Sequence, residues 1–128
     1  MTTSQTIKTI NFGKVGADAF QMLTINSIGM HGGGHVDQIT INGQTHGGGG
    51  GTAALTITLA QGEYVNYIEV YAEPEVYVNY LKFSTNLNQK IEAGNKIGTL
   101  TKLSDIKLIG IVGYSGLYLN SIEFIYEG

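Results

Sequence analysis

The seven residues HVDQITI at 35–41 decide the fold, because the chain repeats their pattern twice. The segments YVNYLKF at 77–83 and YLNSIEF at 118–124 share its order: a ring, an aliphatic residue, Asp or Asn, any residue, Ile or Leu, any residue, and Ile or Phe. The Asp or Asn stands at 37, 79 and 120, so the pattern recurs after 42 and then 41 residues. Such regular spacing predicts three copies of one structural unit.

Each copy follows a second apolar segment, namely MLTINSIGM, EYVNYIEVY or DIKLIGIVG. The segments predicted as strands are TIKTINF, FQMLTINSI, AALTITLA, YVNYIEVY, YVNYLKF, IKLIGIVG and YLNSIEFIYE. They are short, rich in β-branched and aromatic residues, and separated by turn formers, which indicates an antiparallel all-β fold. Three strand groups can bury one face each around a pseudo-threefold axis, and we expect TIKTINF to complete the third group.

Composition limits the class of protein. The 128 residues are 42% hydrophobic, which predicts a single domain over 1–128. Arginine is absent, 13% of residues are charged and the net charge is −3, so a nucleic-acid partner is not expected. No apolar run suits membrane insertion, MTTSQTIKTINF lacks the features of a signal peptide, and the absence of cysteine excludes disulfides. The compartment stays open.

Glycine is concentrated in one part of the chain. Ten of the nineteen glycines lie between Gly29 and Gly51, most of them in GGHVDQITINGQTHGGGGG at 33–51. Glycine loses more chain entropy on folding than other residues, so this density indicates backbone shapes or close approaches that a side chain would forbid. We therefore expect a ligand to come close to this backbone.

Four blocks resemble the jacalin-related lectins in that family's order and over nearly the whole chain: HVDQITINGQTHGGGGG, GEYVNYIEVY, YLKFSTN and IVGYSGLYLNSIEFIY. Their spacing is most similar to that of mannose-binding members. The resemblance implies the β-prism I fold, with three four-stranded antiparallel sheets and pseudo-threefold symmetry. It also implies binding of mannose- or glucose-type glycans with neither cofactor nor metal.

The family's sites join a Gly-x-x-x-Asp segment to a glycine-rich loop. By resemblance, Asp37 accepts hydrogen bonds from sugar hydroxyls, and backbone amides near Gly50 and Gly51 donate. The first site then comprises Gly34, His35, Val36, Asp37, Gly50 and Gly51. Weaker second and third sites comprise Tyr77, Val78, Asn79, Gly98 and Thr99, and Gly16, Ala17, Tyr118, Leu119 and Asn120. They are weaker because Asn replaces Asp and the matching loops lack paired glycines.

Structural roles compete with these assignments. The glycine run 47–51 is also typical of a flexible hairpin loop, and Asp37 of a carboxylate that stabilises its own turn. Asn79 and Asn120 suit strand entry, where an amide bonds the local backbone. Five further tyrosines are expected to pack on sheets: Tyr64, Tyr67, Tyr71, Tyr80 and Tyr126.

Three other functional classes stay open to different degrees. His31, His35, Asp37 and His46 form the one candidate metal set, although their spacing matches no specific zinc motif. Glycoside hydrolysis needs a second carboxylate near Asp37, and the sequence offers none, so an enzyme is not expected. A β-prism interaction or oligomerisation module without sugar sites is the main alternative. Glycans are the expected partners, with a homo-oligomer supplying avidity.

Overall fold

A computed structural model describes residues 6–73 and 76–128. Over these ranges the chain forms thirteen strands in three antiparallel sheets and no helix, and so none that could cross a membrane. The predicted all-β fold is confirmed. The predictions of a domain over 1–128 and of no signal peptide fall partly on residues outside the described ranges.

The strands follow one another along the whole described chain. They are β1 Ile7–Gly13, β2 Asp18–Met22, β3 Ser27–Gly32, β4 Val36–Ile41, β5 Gln44–Gly47, β6 Thr52–Ala53, β7 Ile57–Thr58, β8 Val65–Ala72, β9 Val78–Thr85, β10 Lys90–Gly94, β11 Thr99–Ser104, β12 Lys107–Ser115 and β13 Leu119–Glu127.

Each copy of the repeat supplies the central hairpin of one sheet. The first sheet has the order β5-β4-β3-β6, with β7 beside β3, and the second has the order β10-β9-β8-β11. The third has the order β1-β13-β12-β2, in which β1 pairs with β13 from Ile7 to Gly13. The predicted completion of the third group by TIKTINF is therefore confirmed.

The prediction of one strand over FQMLTINSI is wrong. β2 pairs with β12 in the third sheet, whereas β3 pairs with β4 in the first, so the chain changes sheets between Met22 and Ser27. Asn42 holds this crossing: its Oδ1 accepts from the amides of Asn26 at 2.6 Å and Ser27 at 3.2 Å. Its Nδ2 donates to the carbonyl of Thr24 at 2.6 Å.

Edge strands account for the other differences from prediction. AALTITLA divides into β6 and β7, which makes the first sheet five-stranded, and the predictions omitted β2 as a separate strand together with β5, β10 and β11. The omitted strands β5 and β11 carry half-buried or exposed residues throughout. A strand with one free edge and little buried surface lacks the apolar alternation from which strands are recognised.

Equivalent positions of the three copies meet in one hydrophobic core. Nine side chains of the pattern are completely buried: Val36, Ile39 and Ile41, then Val78, Leu81 and Phe83, then Leu119, Ile122 and Phe124. The rings of Phe83 and Phe124 meet edge to face, with their centroids 5.8 Å apart. Burial of one such side chain stabilises the fold by about 1.5–3 kcal/mol. Because the three copies pack as equivalents, their Asp and Asn residues emerge at the same end of the sheets.

Candidate functional site at one end of the three sheets

A β-bulge carries the Asp or Asn of every copy. In the first sheet Gln38 pairs with His31 and Val36 with Gly32, so Asp37 has no cross-strand partner. The pairing skips Asn79 and Asn120 in the same way. A bulge inserts an extra residue that leaves the ladder and redirects its side chain. We call Asp37, Asn79 and Asn120 the bulge residues.

A neighbouring loop satisfies the backbone carbonyl that each bulge leaves free. The bulge carbonyls accept from the amides of Gly48 at 3.1 Å, Asn95 at 2.7 Å and Lys14 at 3.0 Å, in copy order. The residue before each donor is a glycine with a positive φ: Gly47 at 112°, Gly94 at 102° and Gly13 at 86°. A Cβ there would overlap the same carbonyl oxygen, so only glycine fits.

In the first copy, Asp37 faces a backbone without side chains. Asp37 is 9% exposed, and a Cβ added at Gly50 would overlap its Oδ2. Within the described ranges no group hydrogen-bonds the carboxylate, and neither of its oxygens is a fully buried atom without a partner. The amides of Gly49, Gly50 and Gly51 donate to none of the loop carbonyls there. Acceptor and donors are therefore available side by side.

In the second copy, the bulge residue is already occupied. The Nδ2 of Asn79 donates to the carbonyl of Ile97 at 2.9 Å and to Oε1 of Glu73 at 3.3 Å, while its Oδ1 lies 3.1 Å from Nδ1 of His35. The side chain of Ile97 stands at the position that Gly50 has in the first copy. A ligand would therefore have to displace contacts that the protein makes with itself.

In the third copy, the bulge residue borders an open groove. The one side-chain hydrogen bond of Asn120 to a described residue runs from Nδ2 to the carbonyl of Gly16, and it is long at 3.4 Å. The groove has a volume of about 410 Å³. Lys14, Val15, Gly16, Ala17, Val76, Tyr77 and Asn120 line it.

The three rings of the repeat pattern meet in a triangle. The ring centroid of His35 lies 5.0 Å from that of Tyr77 and 5.2 Å from that of Tyr118, and the two tyrosine centroids are 5.1 Å apart. Each ring precedes its own bulge residue by two positions, yet His35 bonds Asn79 of the second copy, and Tyr77 lines the groove of Asn120 in the third. Rings and bulge residues thus connect neighbouring copies.

The remaining candidates contribute backbone or shape. Val36, Val78 and Leu119 are fully buried, which leaves only their backbone to face a ligand. Gly34 is exposed, and a Cβ there would meet nothing within 4 Å. Ala17, Gly51 and Gly98 end their loops with φ of 66°, 72° and 103°. Thr99 begins β11, opposite Ala72.

The histidines of the candidate metal set do not converge. His46 lies in register with Ile39 and His31 with Gln38, so they point to opposite faces of the first sheet. The ring of His46 stacks on Phe20, with centroids 4.1 Å apart. In the part of the chain that the structure describes, no three or more potential ligands are grouped as a metal would require.

Sequence reasoning missed two neighbours and one local feature. The carbonyl of Leu117, whose side chain is 79% exposed, accepts from the amide of Gly48 at 3.1 Å, so the third copy flanks the first site. Glu73 contacts the second site. Nothing in the sequence marks either contact. The bulge does have a signal, because the buried positions 36, 39 and 41 break the two-residue period of a strand.

Three sheets around one core, each ending in a bulged Asp or Asn beside a short loop, define a β-prism lectin. Residues 12–125 match the family model of the jacalin-like lectin domain, so the chain belongs to that family. Griffithsin from Griffithsia sp. (strain Q66D336) is 34% identical over 117 residues, which are 91% of this chain and 93% of griffithsin. The resemblance found in the sequence is confirmed.

Solved structures show the same fold at lower identity. Frutapin from Artocarpus incisa superposes with a TM-score of 0.76 at 19% identity, over 100% of both chains. Artocarpin, a lectin with mannose specificity, superposes with a TM-score of 0.75 at 21% identity, over 97% of this chain and 99% of artocarpin. The β-prism prediction is therefore confirmed, with the fourth strand of the first sheet interrupted.

Proposed function

We propose that this lectin binds mannose- or glucose-type glycans through its first copy, without a metal ion. The observation that supports this is the carboxylate of Asp37, which lies against the bare backbone of Gly50 and is hydrogen-bonded by none of the described residues. The mannose specificity of artocarpin makes a mannoside the first ligand to test.

The chemistry is non-covalent. The Asp37 carboxylate can accept from two neighbouring hydroxyls of a pyranose, and its charge strengthens both hydrogen bonds. The amides of Gly50 and Gly51 then donate to oxygen atoms of the sugar, since no side chain holds the sugar away. No bond of the ligand is broken, so the proposal includes no catalysis.

One strong site in each chain makes association part of the proposal. Shallow lectin sites are individually weak, and linked sites gain avidity from a high effective concentration. Among the described residues, the edge strands of the three sheets offer surfaces for a homo-oligomer. Light scattering tests this directly: a dimer or larger assembly is expected, and a strict monomer that agglutinates glycan-coated particles strongly would contradict the avidity argument.

Calorimetric titration of methyl α-mannoside tests the site. We expect Asp37→Asn to weaken binding about tenfold or more, because a hydrogen bond to a charged group contributes about 1.5–3 kcal/mol. Glu127→Gln removes the same charge at the end of β13 and should bind like the parent. If Asp37→Asn also binds like the parent, the site is wrong. All titrations are repeated in EDTA, and loss of binding there would favour a metal site instead.

A further inference from the structure

The groove of the third copy differs in charge from the first site. The amides of Lys14 and Gly48 make the same bond to their bulge carbonyls, so the two residues are equivalent, as are Asn120 and Asp37. The first site therefore has a carboxylate where the third has an amide, and a glycine where the third has an ammonium group. Among the described residues that line the groove none is acidic, which leaves Lys14 as its charged group.

The groove is also open and partly apolar. A Cβ at Gly16 would meet nothing within 4 Å, whereas one at the equivalent Gly50 would meet the Asp37 carboxylate. Val15 and Val76 form apolar walls and are 56% and 40% exposed. Tyr77 adds a ring, onto which the apolar face of a pyranose can pack.

The polar groups of the groove make few hydrogen bonds to other described residues. Among the described residues, the side chain of Asn120 bonds only the carbonyl of Gly16, at 3.4 Å, whereas the side chain of Asn79 bonds three. The amides of Val15 and Gly16 donate to none of the loop carbonyls in the described ranges. An ammonium group, a weakly bonded amide and backbone donors that no described loop carbonyl engages together suit a ligand that carries both hydroxyls and a negative charge.

We propose that this groove binds an acidic sugar unit, carboxylated or sulfated, with its anionic group on the ammonium of Lys14. Tyr77 packs on the ring and Asn120 bonds a hydroxyl. The proposal rests on the proposed function, in that this end of the fold recognises glycans, and it adds a second ligand class beside the neutral sugar of the first site. The Asp37 carboxylate repels an anion, so the two ligands sort between the sites by charge.

The test compares matched sugars in low salt. Calorimetry with methyl α-glucuronide, methyl α-glucoside and glucose 6-sulfate compares the affinities of a carboxylated, a neutral and a sulfated sugar. We expect the acidic sugars to bind the parent more tightly, and Lys14→Gln to lower their affinity about fivefold, as for a solvent-exposed ion pair. Lys102→Gln, an exposed lysine of β11, is the control and should change nothing. Added salt should weaken acidic-sugar binding.

Amide shifts in NMR then locate each ligand. The glucuronide should perturb residues 14–17, methyl α-mannoside should perturb residues 48–51, and Asp37→Asn should leave glucuronide binding intact. Acidic sugars that bind no better than the glucoside, or that bind Lys14→Gln as tightly as the parent, overturn the inference. If the protein binds the mannoside but not the glucuronide, the acidic-sugar inference is wrong and the neutral-sugar proposal stands. If the protein binds the glucuronide but not the mannoside, the neutral-sugar proposal is wrong and the acidic-sugar inference stands.

Discussion

His35 of the first copy is joined to Asn79 of the second, with Nδ1 of the imidazole 3.1 Å from Oδ1 of the amide. The other end of that amide donates to the carbonyl of Ile97 and to Glu73. With only 4% of its surface exposed, Asn79 is a structural joint between two copies and a loop. The second bulge residue thus connects parts of the fold, whereas no described residue hydrogen-bonds the Asp37 carboxylate.

Asn79→Ala is therefore expected to lower the free energy of unfolding by about 1–3 kcal/mol, because it removes three partly buried hydrogen bonds. Asn120→Ala is the matched control and should lower it much less, since the one bond of its side chain to a described residue is long. Urea unfolding measures both. Mannoside affinity should be unchanged in Asn79→Ala. Equal losses of stability in the two variants would show that Asn79 contributes no more to the fold than Asn120.

Gly50→Ala should lower mannoside affinity about tenfold, since its methyl group displaces the Asp37 carboxylate from its place beside the loop. Gly49→Ala changes the neighbouring residue, where a Cβ would meet nothing within 4 Å, and should keep its affinity. Neither glycine has a positive φ, so the pair isolates the effect on the carboxylate. Calorimetry decides, and equal affinities for the two variants would count against Asp37 as the acceptor.

Gly47→Ala should destabilise the protein more than Gly43→Ala, by a difference of about 1 kcal/mol or more. Both glycines have positive φ, at 112° and 80°, so both variants suffer backbone strain. Only at Gly47 would the new Cβ also overlap a backbone atom, the carbonyl oxygen of Asp37. The two midpoints of urea unfolding give the comparison. Similar midpoints would show that the carbonyl of Asp37 can move away from the new Cβ at little cost in stability.

Glu63 should make stability depend on pH in the acid range. The Thr85 hydroxyl, the amide of Ala60 at 2.7 Å and Nε2 of Gln89 at 3.0 Å all donate to its carboxylate. These bonds lower the pKa of Glu63 from 4.5, and the bond from Thr85 has the largest effect. The folded protein thus favours the ionised form, so this stability is present above pH 4.5 and is lost as the pH falls through the lowered pKa.

Glu63→Gln should flatten that dependence in urea unfolding at about pH 7 and about pH 3.5. Glu127→Gln, at the end of β13, serves as the control and should follow the parent. An unchanged pH profile in Glu63→Gln would assign the acid lability to other carboxylates.

His46 acts in a separate pH window and with the opposite preference. Burial against Phe20 lowers the pKa of His46 from 6.5, and its Nε2 has no hydrogen-bond partner among the described residues. The unfolded chain then takes up a proton more readily than the folded one. The free energy of unfolding should therefore fall as the pH drops below 6.5 and level off beneath the lowered pKa.

His46→Phe keeps a ring on Phe20 but cannot be protonated, so its stability should be flat across this range. Unfolding midpoints at about pH 7.5 and about pH 5.5 provide the measurement. If the variant loses stability on acidification as steeply as the parent, protonation of His46 is not the cause of the loss.

Local pattern was enough for the fold class and the repeat. The pattern that begins at His35, Tyr77 and Tyr118 places buried aliphatic and aromatic residues at the same offsets in each copy, and this determines three equivalent sheets. The glycine run beside Asp37 likewise marks its loop, because only glycine tolerates a positive φ against a backbone carbonyl. These properties depend on residues close together in the chain, and so the sequence by itself determines them.

Only the tertiary structure decided how the contacts of the bulge residues differ between the copies. Asn79 and Asn120 stand in the same pattern, yet one is held by His35, 44 residues away, and the other faces a groove whose wall includes Tyr77. The division of FQMLTINSI between two sheets depends in the same way on Asn42, from a turn of the next hairpin. Such contacts join segments far apart in the chain, and their geometry exists only once the three sheets have packed around one core.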